Sequence, residues 1–377
     1  MNFQFTTEQS MMQKMAREFT EKEIAPLDAQ MDKSGEFPHA LFDKMKANGF
    51  LGVTFPEEYE GGGADAVAGA LTIYEIAKGS ASVALTLDAH WLAADTIYYH
   101  GTEEQKKKYL KRASTDTIFA FSLTEPCAGS DAAGIMTNAV LEGDQWVLNG
   151  TKAWCTNGGV SGVYVVLAKT DKTKGAKGIS AFIVEAENPG LSVSKKEDKM
   201  GMRGSQTTEL VLNNCRVAKD ALLGKEGDGF KIAMMALDGA RISIGAIAAG
   251  ICERAIQISK DYAKERQAFG GPIANFQAIQ FMIAEMAIAL EAAKLLTFSA
   301  AALKASGRRH SKEAAMAKIF GSNKAVKSAL DAIQIFGGNG YSRENPVERY
   351  LRDAKLLTIG EGTTEVLKML VGRSELN

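Results

Sequence analysis

With 377 residues, 46% of them hydrophobic and 24% charged, the chain is longer than one compact core usually holds, and two or three domains are expected. Its formal net charge of -1 lacks the basic excess that a nucleic-acid or anionic-membrane surface needs. Cys127, Cys155, Cys215 and Cys252 are scattered, with neither zinc-like spacing nor a disulfide framework, which points to a reducing, cytoplasmic setting. Residues 1–10 are polar and lack the basic-then-apolar layout of a secretion leader. No uninterrupted apolar run reads as a membrane span. The Gly- and Ala-rich stretch 242–251 reads as a tightly packed helix.

In chain order, residues 1–115 are helical by pattern. Thr7, as a cap, precedes Glu8 and an amphipathic series of Met11, Met12, Met15 and Phe19. Phe37-Pro38 opens another helix, Gly61-Gly62-Gly63 breaks the pattern, and residues 65–99 suit a helix buried on most faces. Residues 116–225 change character. Short strand-like runs at 146–148, 163–168, 179–184, 191–193 and 210–212 alternate with Gly, Asn and Asp turn signals, which suggests an antiparallel barrel or sandwich. Residues 226–377 return to long helical periodicity. The expected fold is α+β, with an N-terminal helical domain, a middle β domain and a C-terminal four-helix bundle. The order is not alternating βαβ, so a Rossmann sheet is not expected.

No GxGxxG, P-loop, G-x-S-x-G or HExxH segment is present, and His39, His90, His100 and His310 lack ligand-like spacing, so no metal site is expected. Lys106-Lys107-Lys108 reads as a solvated helix face. Polar, Gly-containing segments stand out instead. Residues 121–131 (FSLTEPCAGSD) form a strand end and a loop rich in hydroxyls and N–H groups. Taken alone, they read better as an ordinary turn. Trp154 and Thr156 alternate around Cys155, hence on one face of a strand. Residues 334–341 (QIFGGNGY), followed by Arg349 and Asp353, fit a helix end with a glycine turn. Residues 359–365 (IGEGTTE) place a carboxylate, Glu361, between two glycines, as a plain solvent loop would also do.

Taken in order, L-T-E-P-x-A-G-S-D, W-x-T-N-G-G, the R-Q-x-F-G run at 266–270, Q-I-F-G-G-N-G-Y and E-G-T-T-E resemble the acyl-CoA dehydrogenase family over nearly the whole chain. The resemblance implies an FAD-dependent enzyme, usually a homotetramer built as a dimer of dimers, that passes electrons to an electron-transferring flavoprotein. It implies that Phe121, Leu123 and Thr124 wrap the flavin, with Trp154 and Thr156 beside the ring and Ser130 toward both flavin and CoA. It places Arg266, Phe269 and Gln277 on the FAD pyrophosphate and adenine, and Gln334, Gly337 and Gly338 on the FAD of a neighbouring subunit. Thr363 and Glu365 would flank FAD again, and Asp238, Arg241 and Gly362 would meet the CoA substrate.

The same resemblance makes Glu361 the base that removes the α-proton of an acyl-CoA thioester while a hydride leaves Cβ for flavin N5. Burial should raise its pKa, and its N–H can polarise the thioester carbonyl. Gly360 and Gly362 should let the backbone approach the substrate. Gly360 stands where many straight-chain members carry tyrosine, which should widen the pocket. Asp88, in Leu87-Asp88-Ala89-His90-Trp91, reads as a polar pocket floor or a helix salt bridge. A sharper reading makes it a second base or polar partner for a cyclic or aryl acyl group, with Asp95 as an alternative. Other readings are an enoyl-CoA reductase, an acyl-CoA oxidase and a non-catalytic subunit.

Overall fold

The computed structural model describes residues 4–376. The first three residues of the leader reading lie outside that range. The N-terminal part holds α1 (Thr7–Phe19), α2 (Asp28–Ser34), α3 (His39–Ala47), α4 (Ala66–Gly79), α5 (Ala81–His100) and α6 (Glu103–Thr115). The cap of α1 is Thr6, not Thr7. Its hydroxyl accepts from Gln9 N at 3.1 Å while the Gln9 side chain accepts from Thr6 N at 2.9 Å. Gln9 is three residues on from Thr6, and that spacing decides between adjacent threonines. α5 is apolar on nearly every face, and its residues are buried from Ala81 to Ala94.

The middle part is β1 (Phe119–Ser122), β2 (Asn138–Glu142), β3 (Gln145–Thr156), β4 (Val163–Lys169), β5 (Ile179–Glu185), β6 (Leu191–Lys196), β7 (Thr207–Ala218) and β8 (Leu222–Leu223). They form one sheet in the order β6-β7-β3-β2-β4-β5-β8, with β1 pairing β4 from the side. Most pairs are antiparallel. The β1–β4 pair and the single β2–β4 contact at Asn138 and Lys169 are parallel. β4 and β5 are buried on both faces, so they read as continuous apolar runs. β3 loses register with β7 between Lys152 and Cys155, and there Trp154 takes a positive φ of 57°. This bulge turns the indole outward.

The C-terminal part is α7 (Gly229–Glu265), the short β9 (Gln267–Ala268) and β10 (Gly271–Pro272), α8 (Gln277–Ala305), α9 (Ser311–Phe336), α10 (Val347–Leu357) and α11 (Thr364–Leu376). α7, α8 and α9 pack on one another, and α7 also lies against α4 and α5. The Gly/Ala stretch makes that contact close. A Cβ on Gly250 would sit 2.8 Å from Tyr74 O of α4, and one on Gly245 would sit 2.6 Å from Thr297 Oγ1 of α8. Two described helices, α7 and α8, are long and apolar enough to cross a bilayer by length and composition, contrary to the sequence expectation. Alanine and glycine keep their hydropathy high without an uninterrupted run of large apolar residues. α7 has its apolar surface covered by α4, α5, α8 and α9.

Candidate active site

The turn between α10 and α11 carries Glu361, and two buried cations hold it. Arg241 of α7 donates from Nε to Glu361 O at 3.2 Å, and Lys318 of α9 donates from Nζ to Gly362 O at 2.6 Å. Glu361 itself has φ 56° and Gly362 has φ 97°. A left-handed glutamate is strained, so these two bonds define the turn. The sequence reading assigned the conformational freedom to Gly360 as well. Gly360 has no positive φ, and a Cβ there would meet only Leu356, at 3.7 Å or more. A Cβ would fit there without a clash. Thr363 caps α11 through Val366 N at 3.3 Å, and Glu365 lies in the first turn of that helix.

The Glu361 carboxyl points into the protein, and its Oε2 is shielded from solvent without a hydrogen-bond partner. Asp88 of α5, 1% exposed, lies within hydrogen-bonding reach of it and of Ser243. Burial pushes Asp88 well above the usual carboxylate range, and the Glu361 charge pushes the same way. Burial raises Glu361 too, against the opposing pull of the Asp88 hydrogen bond, Arg241 and Lys318. Burial lowers the Lys318 ammonium to about 8, with Glu361 opposing that shift. No cation pairs with Asp88 among the described residues, so the expected helix salt bridge is not formed. Asp95 pairs instead with Lys304, at 3.0 Å. Beside Asp88 is a cavity of about 40 Å³ lined by Gly69, Trp91, Asp95, Ser243 and Lys304, among others. A larger groove of about 230 Å³ at Phe37, His39 and Thr117 includes none of the expected site residues.

Asp238 and Arg241 bond to one another at 2.6 Å, and Ser311 donates to the other Asp238 oxygen. Arg241 is buried, so its donors serve the Glu361 turn and Asp238.

A second group forms where β1 meets the bulge of β3. Thr124 O accepts from Ala153 N at 2.9 Å. Beneath the loop lies a buried ion pair that the sequence reading missed. Lys152 Nζ donates to Glu125 at 2.7 Å and to Leu123 O at 3.1 Å, and Glu125 also accepts from Met136 N and Thr137 N. Asn157, also missed, is fully buried and donates to Thr86 O of α5 at 3.0 Å and Phe119 O of β1 at 3.2 Å. His90 Nδ1 accepts from Phe119 N at 3.0 Å, and burial lowers its pKa to about 4, so it stays neutral. Above this frame the Trp154 side chain is 58% exposed. Phe121, Thr124 and Thr156 are half-buried, Leu123 is buried and Ser130 is exposed.

The third group lies apart. Arg266, Phe269, Gln277, Gln334, Gly337 and Gly338 are all exposed, near the stacked rings of Tyr262 and Phe336. Their described hydrogen bonds remain at that end of the bundle. A single chain thus brings Glu361, Asp88, Asp238, Arg241, Gly362 and Thr363 together, and separately the 121–131 loop with Trp154 and Thr156. It leaves the third group on its surface. The buried lysines carry one sequence signal, a charge inside an otherwise apolar helical or strand run, as in Ala317-Lys318-Ile319.

Three family models match consecutive parts of the chain: the acyl-CoA dehydrogenase N-terminal domain over residues 6–116, middle domain over 120–215 and C-terminal domain over 227–376. An acyl-CoA dehydrogenase of Bacillus subtilis (strain 168) is 49% identical over 370 residues, covering 98% of each chain. Butyryl-CoA dehydrogenase from Megasphaera elsdenii superposes with a TM-score of 0.98 at 44% identity over 100% of both chains. A chain of the structure described as electron transferring flavoprotein of Acidaminococcus fermentans, towards a mechanism of flavin-based electron bifurcation, superposes with a TM-score of 0.99 at 48% identity over 100% of both chains.

Proposed function

The chain belongs to the acyl-CoA dehydrogenase family of FAD-dependent oxidoreductases, and on that premise we propose that Glu361 is the base that opens a short acyl-CoA thioester to α,β-dehydrogenation. One observation carries this reading: a strained glutamate, pinned by two cations through backbone carbonyls, keeps a carboxylate oxygen shielded from solvent with no hydrogen-bonding neighbour among the described residues but the Asp88 carboxyl. The α-hydrogen of a thioester is far less acidic than a solvated carboxylate can remove. Burial raises Glu361 toward the operating pH, where a general base is most effective. Arg241 and Lys318 keep the carboxyl's backbone in place and leave Glu361 N–H without a hydrogen bond among the described residues. That N–H is therefore available to the thioester carbonyl as charge develops on it.

FAD, when bound, supplies the acceptor for the hydride that leaves Cβ. The residues present fit it. The open indole of Trp154 offers a flat wall, and the hydroxyls of Thr124 and Thr156 have no hydrogen bond among the described residues. Phe121, Leu123 and Ser130 would complete that wall. Arg266, Phe269 and Gln277 would meet the FAD pyrophosphate and adenine, and Gln334, Gly337 and Gly338 the FAD of a neighbouring subunit, with Thr363 and Glu365 flanking FAD again. Asp238, Arg241 and Gly362 remain the proposed neighbours of CoA, Arg241 acting through the Glu361 turn. Exposed Phe281, Ile288 and Leu295, seven residues apart along α8, support assembly with further copies as a homotetramer, and four free cysteines suit a cytoplasmic setting. The Acidaminococcus match supports an electron-transferring flavoprotein as electron partner.

Replacing Glu361 with Gln tests the assignment. The variant should retain FAD and bind acyl-CoA, yet lose flavin reduction by roughly 10²–10⁴-fold. Stopped-flow reduction at the wild-type rate would overturn it. A second reading has its own observation: Asp88 is a second buried carboxyl beside Glu361, the kind of polar partner that a cyclic or aryl acyl group could use. A panel of butyryl-, isovaleryl-, arylpropionyl- and cyclohexene-carboxyl-CoA decides between the two, and the highest kcat/KM for butyryl-CoA discards the ring.

A further inference from the structure

We propose that Asp88 and Glu361 share one proton, held on Asp88 and donated to Glu361, so that Asp88 is a positioning residue for the base. The proposal rests on the reading of Glu361 as that base and adds the group that orients it. Asp88 Oδ2 and Glu361 Oε2 are both shielded from solvent and both lack a donor, while the two carboxyls lie within hydrogen-bonding reach of each other. Two carboxylates are both acceptors, and at such range they cannot both ionise. Leaving both buried oxygens without a donor would carry the desolvation penalty of each. A single proton between them serves both.

The surrounding charges decide which side holds it. Glu361 faces two cations, Arg241 from α7 and Lys318 from α9. Asp88 faces the Ser243 hydroxyl of α7 and Lys304 of α8, and Lys304 is already neutralised by Asp95 of α5 at 3.0 Å. The Arg241 charge is shared with Asp238, and Lys318 also feels Glu365. Negative charge is therefore better placed on Glu361 and the proton on Asp88. An O–H donated from Asp88 fixes the Glu361 carboxylate in one rotamer before substrate arrives. When Glu361 takes the α-proton, the pair passes from one proton to two and both acids are neutral.

Asp88→Asn supplies an N–H donor with no proton to lose. With aspartate isotopically labelled, the wild-type protein at neutral pH should show a label-sensitive carboxylic-acid band in the infrared. That band should be absent from Asp88→Asn, which separates it from other buried acids such as Asp353. In labelled Glu361→Gln it should shift, because its hydrogen-bond partner has changed. Wild-type flavin reduction by butyryl-CoA should fall about tenfold per unit at alkaline pH, where loss of the Asp88 proton sets two carboxylates against each other. Asp88→Asn should lose that alkaline limb and keep the acid one. An unchanged alkaline limb in Asp88→Asn overturns the proposal. So does an infrared spectrum that neither Asp88→Asn nor Glu361→Gln alters, and the Glu361→Gln spectrum decides alone if Asp88→Asn does not fold. Normal flavin reduction in Glu361→Gln would instead remove the base assignment, a separate outcome from failure of proton sharing.

Discussion

Lys318→Met separates the catalytic turn from the stability of the bundle that holds it. The substitution removes the 2.6 Å bond from Nζ to Gly362 O, a charge-assisted contact worth roughly 1.5–3 kcal/mol. It also removes a buried ammonium whose pKa is lowered from 10.5 to about 8, a burial cost of up to roughly 3 kcal/mol at neutral pH. Methionine fills nearly the same volume. The two contributions nearly cancel, so the melting temperature of the FAD-loaded protein should move by about 4 °C at most. The turn has no such compensation. Glu361 holds a left-handed conformation that costs a non-glycine residue roughly 1–2 kcal/mol, and only the 3.2 Å Arg241 bond would still hold its carbonyl. Losing roughly 1.5–3 kcal/mol of restraint should slow flavin reduction by about 10–100-fold. The pH dependence gives a further check. A folded pKa below the unfolded one means that the unfolded chain binds more protons between about 8 and 10.5. Wild-type stability therefore gains a rising contribution across that window, which Lys318→Met should lose. Anaerobic stopped-flow reduction and thermal melts measure both quantities. A reduction rate within about threefold of wild type, below the weakest restraint considered, would refute the role given to Lys318. So would a large loss of stability that accounts for the lost rate.

Lys152→Met leaves Glu125 buried and unpaired, so it should cost roughly 3–5 kcal/mol and lower the flavin content of the purified protein. The double variant Glu125→Gln/Lys152→Met should recover much of the melting temperature, and no recovery would argue against the ion pair as the cause. Asp353, buried and accepting from Met202 N at 2.5 Å, is raised from 3.8 to about 7, chiefly by burial. The folded state then binds more protons than the unfolded one, so stability falls as pH rises across that window and stays reduced above it. Asp353→Asn should remove that decline, and melts that remain parallel to wild type from pH 4 to pH 8 would contradict it. Replacing both Phe281 and Ile288 with Glu should convert the proposed homotetramer to smaller species in sedimentation experiments, and an unchanged mass would argue against an interface on that face.

Much of this was legible in the sequence because it is local. The change from helical to strand periodicity near residue 116, the turn signals of the middle part and the glycines around Glu361 are all carried by neighbours in the chain. What escaped depends on tertiary contact. Lys152 and Lys318 look like surface lysines until packing buries them. Asn157 looks like part of a turn until its amide is seen to reach two carbonyls from different elements. β2, with exposed Val140 and Leu141, carries no clear alternation and was not recognised. Asp88 stood out by type and position. The carboxyl it faces comes from a turn 273 residues away (361 − 88), a distance over which no periodicity carries information.

The ties that Asn157 and His90 make to α5 set how selectivity can change in this chain. Both side chains bind that helix to β1 through buried hydrogen bonds to backbone carbonyl and amide groups. The wall proposed to lie beside the flavin and the floor proposed to lie beneath the acyl group therefore behave as one piece. The helix cannot slide to lengthen or shorten the chamber without breaking buried hydrogen bonds on the flavin side. On the proposed function, the choice of thioester would be written in exchangeable side chains at Asp88, Asp95 and Ser243, and a new substrate range would be reached by substitution alone, with the backbone left where it is.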